Sequence, residues 1–111
     1  MPIRSPFGAA SSVALTATGA QTLTIDGNLT VIDGVSVIAT GSRTLNLIIS
    51  PETAVGTKLI LKNKTTAAET TVMGTGMTGL TITGVAGKTF LMEFIYDGVT
   101  FKAISPAVQI D

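Results

Sequence analysis

Threonine, valine, isoleucine and leucine alternate through most of the chain, as in Leu23-Thr24-Ile25, Thr44-Leu45-Asn46-Leu47 and Leu80-Thr81-Ile82-Thr83. A period of two sends successive side chains to opposite faces of a pleated strand, and β-branched residues suit that surface. The pattern predicts strands over residues 13–17, 22–25, 29–32, 35–39, 44–49, 58–63, 70–73, 80–83, 89–96 and 99–105. Helical spacing is hard to find. Pro51 and Glu52 could open one helical turn, but Gly56 would end it at once, so residues 51–55 read as a loop.

Turn residues fall between the apolar runs: Asp26-Gly27, Asp33-Gly34, Thr40-Gly41, Gly74-Thr75-Gly76, Gly84 and Gly87. Short strands at this spacing predict an all-β fold, an antiparallel sandwich or a jelly-roll-like barrel of about 8–10 short strands. The most sharply defined piece is the hairpin over residues 91–104, with Asp97-Gly98 as a two-residue turn. Its register would pair Tyr96 with Val99, Phe94 with Phe101 and Met92 with Ala103 on one face. Ile95 with Thr100, Glu93 with Lys102 and Leu91 with Ile104 would share the other. The Phe94 face is expected in the core. Residues 13–105 read as one β domain between an extended N-terminal arm, 1–12, and a C-terminal tail, 106–111.

Composition turns attention to the surface. Of 111 residues, 45% are hydrophobic and only 13% charged, against roughly 25% charged in an ordinary soluble domain. Much of the exterior must then be Thr, Ser, Gly and apolar side chains, the kind of surface that is buried against partner subunits. Self-association is the expectation. Seven basic and seven acidic residues cancel, leaving no cationic field to draw the chain to nucleic acid or to an anionic membrane surface. Pro2 and Pro6 interrupt the N-terminus and no apolar run follows Arg4, so it does not read as a signal peptide. The most apolar run, 90–96, contains Glu93 and is far shorter than the ~20 residues of a membrane helix.

Catalytic chemistry finds little to use. The chain has no His and no Cys, which removes the commonest general bases, nucleophiles and zinc ligands. Asp26, Asp33 and Asp97 each precede a glycine, where a carboxylate ordinarily closes a turn, and Glu93 is expected to face Lys102. A glycosidase-like pair drawn from Asp26, Asp33 and Asp97 is the weakest of the functional readings. Residues 84–89, Gly-Val-Ala-Gly-Lys-Thr, end like a phosphate-binding loop, but the required first glycine is Ile82 and a strand pattern follows. Asn28-Leu29-Thr30 and Asn63-Lys64-Thr65 match the glycosylation pattern and read as coincidence in a Thr-rich chain. Tyr96, beside the turn, reads as structural in preference to sugar-stacking. The expectation is a non-catalytic module with no metal and no cofactor.

The last third carries a resemblance. Leu80-Thr81-Ile82-Thr83-Gly84, Ala86-Gly87-Lys88-Thr89-Phe90 and Phe94-Ile95-Tyr96-Asp97-Gly98-Val99-Thr100-Phe101, preceded by residues 56–64, resemble a pattern of tailed-bacteriophage virion proteins. In that pattern a Gly-Lys turn leads into an apolar strand, a Tyr-Asp-Gly turn and an aromatic return strand, on which Phe101 stands here in place of the usual Trp. The resemblance implies a virion accessory protein of the head-decoration, head-fibre or tail-fibre type, commonly trimeric. The expected function is capsid decoration by a homotrimer bound to the major capsid protein. Pro2, Ile3, Arg4, Pro6 and Phe7 of the arm are the candidate partner-binding residues. The alternative is a head-fibre or tail-fibre module that binds a receptor or a host-surface glycan.

Overall fold

Burial alternates along the chain as strands require. The computed structural model describes residues 11–25 and 30–111 and contains strands and turns with no helix among them. The first half holds β1 (Ser11–Ala14), β2 (Gly19–Ile25), β3 (Thr30–Ala39), β4 (Arg43–Ile49) and β5 (Lys58–Thr65). The second holds β6 (Thr70–Met73), β7 (Met77–Thr78), β8 (Ile82–Thr83), β9 (Thr89–Tyr96), β10 (Phe101–Ala103) and β11 (Val108–Gln109). A seven-stranded sheet has the order β1-β3-β5-β9-β10-β7, with β11 also paired to β9, and a four-stranded sheet runs β2-β4-β6-β8. Inward residues of both sheets meet in one core, where Ile25, Ile32, Leu45, Leu59, Leu61, Phe94 and Phe101 have no exposed surface.

The all-β class is as the sequence predicts, but the antiparallel arrangement is not. β1, β3 and β5 pair in parallel, and so do β2, β4 and β6. The chain crosses to the other sheet after each of these strands, so the next strand in the same sheet comes one circuit later. The crossings stack on one another: the Gly19 N–H donates to the Ser42 carbonyl at 2.9 Å, Thr40 N–H to Ala17 at 2.9 Å and Thr66 N–H to Ala39 at 3.0 Å. Antiparallel pairing enters where β9 folds back on β5, β10 and β11 pair with β9, and β8 pairs with β6. A Gly-rich turn looks the same whether it reverses within a sheet or passes to the facing one, which is why local sequence misjudged the pairing. Ser11 stands opposite Thr30 and Thr30 opposite Leu59, so the circuits differ in length and leave no fixed repeat to read.

Asp33-Gly34 is likewise not a turn between two strands. It lies inside β3, where the register against β5 shifts between Gly34 and Ala39, a bulge. The Asp33 carboxylate accepts the N–H groups of Val35 and Ser36, at 2.9 and 3.1 Å, and the Ser36 hydroxyl, and so holds the bulge together. Only glycine fits next to it, because a Cβ on Gly34 would lie 2.6 Å from the Lys62 carbonyl oxygen and 3.0 Å from Arg43 Nη1.

The hairpin around Asp97 forms with its faces as predicted and its register displaced. Tyr96 pairs with Phe101, Ile95 with Lys102 and Phe94 with Ala103, so the loop holds residues 97–100 in place of two. The Asp97 side chain accepts N–H groups from Val99 and Thr100, each at 2.9 Å, an Asx turn that favours the longer loop. A shift of two residues keeps every side chain on its face, and Met92, Phe94 and Phe101 are buried as expected. The expected pairings of Phe94 with Phe101 and Glu93 with Lys102 are replaced. Tyr96 now packs on Phe101, ring centroids 5.1 Å apart, and Lys102 meets Asp97 at 2.6 Å.

Candidate functional site

In a chain without His or Cys, the carboxylates are the groups that acid–base catalysis would need. Asp33 closes the β3 bulge and Asp97 its own turn. Glu69 accepts the Thr66 hydroxyl and the N–H groups of Thr66 and Ala67, and Asp111 accepts the Thr89 N–H at 2.7 Å. Each of these four is held below the ordinary carboxylate range by those partners: Asp33 chiefly by the Ser36 hydroxyl, Glu69 by the Thr66 hydroxyl, Asp97 by Lys102 and Asp111 by the Thr89 N–H. Asp26 lies outside the described residues. Among the described residues no group of three or more His, Cys, Asp or Glu side chains could hold a metal ion.

The pKa of Asp33 falls from the ordinary 3.8 to about 2 in the folded protein. A depressed folded pKa means that its stabilising contribution is complete above the unfolded value and is lost as pH falls through the folded one. Acid unfolding is therefore expected to steepen as pH drops from about 4 towards 2, and Asp33→Asn should flatten that limb. Carboxyl ¹³C shifts followed by NMR should show Asp33 titrating near 2. A midpoint near the ordinary value would remove the explanation.

In the glycine-rich segment 84–89 the amides of Gly84, Gly87 and Lys88 are engaged within the fold. The N–H of Gly84 donates to Glu69, Gly87 to Thr65 and Lys88 to Val85, all to carbonyl oxygens at 2.9 Å, and Thr89 starts β9. These amides bind the neighbouring turn of the fold and do not form a phosphate cradle. Asn63 of the second glycosylation pattern is fully buried, its Oδ1 accepting from the Thr71 hydroxyl at 3.0 Å.

Sequence reading missed Arg43. Its side chain has no exposed surface and lies between the sheets, where Nη2 donates to the carbonyls of Gly34 at 3.1 Å and Lys64 at 2.9 Å. Burial lowers its pKa from the ordinary value, with the charge of Glu69 opposing that shift. The signal was present: Arg43 shares its parity in β4 with Leu45 and Leu47, and Asn63 shares that of Leu59 and Leu61 in β5.

Two surfaces face outward in a form that could meet a partner. An open groove of about 510 Å³ runs between the segment after β7 and the end of β10, walled by Gly79, Leu80, Met92, Ala103, Ile104 and Pro106. Its lining is mainly apolar, and the Lys102 ammonium on its wall is already paired with Asp97. The outer faces of the two sheets differ in charge. Lys58, Lys62, Lys64 and Lys102 project from the larger sheet together with Asp33 and Glu93, while no outward position of β2, β4, β6 or β8 carries a charge. Tyr96 is half-buried against Phe101 and belongs to the hairpin's packing. The candidate arm residues Pro2, Ile3, Arg4, Pro6 and Phe7 lie outside the described residues.

No family model, curated protein or solved structure matches the chain. Among the described residues no helix is long and apolar enough to cross a membrane.

Proposed function

We propose that this chain is a structural, non-catalytic protein of a tailed-bacteriophage virion, a decoration protein that binds the assembled head and stabilises it. It acts as a homotrimer and grips the major capsid protein through its N-terminal arm, with Pro2, Ile3, Arg4, Pro6 and Phe7 as the contacting residues. The observation that carries the reading is the surface. A chain with 13% charged residues exposes Ile48, Val55, Leu80, Val99, Ile104 and Val108, each more than half accessible. Such side chains are stabilised by burial against neighbours, at about 25 cal/mol per Å² of apolar area. The resemblance of the last third to virion accessory proteins supplies the neighbours, and the occupied carboxylates suit a protein that works by binding.

Heads carrying the protein are expected to resist heating and osmotic shock better than heads stripped of it. Restoring the purified protein should restore that resistance, and deleting residues 1–12 should prevent the restoration. Equal survival of decorated and stripped heads would rule out a cementing role. The fibre reading differs in its readout: a glycan or receptor would be bound by the isolated protein with no effect on head stability.

A further inference from the structure

We infer that the two sheets enclose a binding site for a small monovalent anion, chloride, between Arg43 and Asn63. The two side chains cross the core in opposite directions. Arg43 leaves β4 and its Nη2 reaches the Gly34 and Lys64 carbonyls of the larger sheet, while Asn63 leaves β5 and its Oδ1 accepts from the Thr71 hydroxyl of the smaller one. Arg43 is the register partner of Thr71, and Gly34 that of Asn63, so the two side chains pass each other about one strand spacing apart, ~4.8 Å. Neither has any exposed surface. Arg43 Nε and Nη1 and Asn63 Nδ2 nevertheless have no hydrogen-bond partner among the described residues.

The unpartnered groups are all of one kind. Nε carries one N–H, Nη1 two and Nδ2 two, donors without exception, and the guanidinium adds a permanent positive charge. Among the described residues no carboxylate lies within ion-pair distance of Arg43. Glu69, whose charge Arg43 feels, is turned to Thr66 and Ala67. Buried donors without acceptors and a buried charge without a counter-charge are among the costliest groups a core can hold. A water molecule accepts at most two of these N–H groups and leaves the charge uncompensated. Turning the Asn63 amide round supplies one acceptor oxygen for the three guanidinium N–H groups and again no charge. A chloride ion accepts from all of them and neutralises the arginine. Leu45 and Leu61, the next inward residues of β4 and β5, keep the surroundings apolar, which strengthens each such contact. Leu15 Cδ1 and Arg43 Nη1 would lie 3.1 and 3.0 Å from a Cβ on Gly34, so the space suits a single-atom anion and not a phosphate or sulfate.

Urea unfolding of the full chain, followed by circular dichroism, tests the site. Sodium chloride replaces sodium gluconate from zero to about 200 mM at fixed ionic strength, which holds screening of the surface lysines constant. The folding equilibrium constant of the parent should rise at least about fivefold, as for a ligand bound only by the folded state with a dissociation constant of about 50 mM or tighter. Bromide should substitute for chloride. Arg43→Met should abolish the dependence and Asn63→Leu should weaken it. Should either variant fail to fold, crystals of the parent grown in bromide provide the second readout, an anomalous peak between Arg43 and Asn63. Equal folding constants in chloride and gluconate, a dependence that survives in Arg43→Met, or bromide found only elsewhere overturns the assignment.

Discussion

Replacing Phe101 with alanine is expected to destabilise the protein by about 3–5 kcal/mol, measured by urea unfolding followed by circular dichroism. Phe101 has no exposed surface and its ring lies 5.1 Å from that of Tyr96, so truncation removes a large apolar contact and leaves a void that rigid sheets fill poorly. Its backbone joins three strands at one point: it pairs with Tyr96 of β9 and with Met77 of β7, and its N–H donates to the Gly76 carbonyl at 2.9 Å. A domain of this size has roughly 5–15 kcal/mol in hand, so the variant should sit close to its unfolding threshold. Phe101→Leu keeps most of the volume and should lose about half as much or less. A loss below about 1 kcal/mol for the alanine variant would mean that this end of the core is open to water.

Arg43→Ala should be comparably severe, about 3–5 kcal/mol, for a different reason. The carbonyls of Gly34 and Lys64 accept from one guanidinium nitrogen of a side chain with no exposed surface, and truncation withdraws that donor from both. Each such loss costs about 1–3 kcal/mol, and the void adds to it. Arg43→Met separates the two effects. It fills the space and removes the burden of a buried charge but supplies no donor, so it should fall between the parent and the alanine variant. Arg43→Lys keeps the charge on a shorter side chain with a compact ammonium in place of the planar guanidinium, and should not restore full stability. If methionine proved as damaging as alanine, the carbonyl bonds and not the volume would be the dominant contribution.

What could be read from the sequence follows from what is local. Alternation located most strands, because a period of two is enforced wherever one face is buried, and Leu59, Leu61, Met92 and Phe94 are buried on the faces their parity implies. Parity is also why the hairpin reading kept Phe94 and Phe101 in the core while missing the register by two residues. The parallel winding was hidden because it is set by which distant strand each segment meets, as when Thr30 lies between Ser11 and Leu59. Asp33-Gly34 carried a turn signal and became a bulge because the hydrogen bonds that stabilise a turn, from Val35 and Ser36 to Asp33, serve a kinked strand equally well. The groove draws its walls from segments near residues 79 and 104, and no local pattern announces such a meeting. The charge-free sheet face was legible only in part. The scarcity of charge is in the composition, but its confinement to one sheet needs the register of β2, β4 and β6.

The late arrival of β9 in the chain has a bearing on how the protein reaches its fold. β5 pairs with β3 early in the sequence, but its other edge has to wait for residues 89–96, and β9 in turn receives β10 and β11. Pairings across such separations require loop closure before any contact rewards it, which places folding in the millisecond-to-second range typical of non-local β topologies. Until β9 docks, the β5 edge, with Leu59, Ile60 and Leu61 in sequence, is an unpaired template for another nascent chain. Lys58, Lys62 and Lys64 flank that apolar run, and their charge holds copies apart during the interval. The lysines that mark one face of the finished molecule thus act before it is finished, as gatekeepers of the strand that must wait longest for its partner.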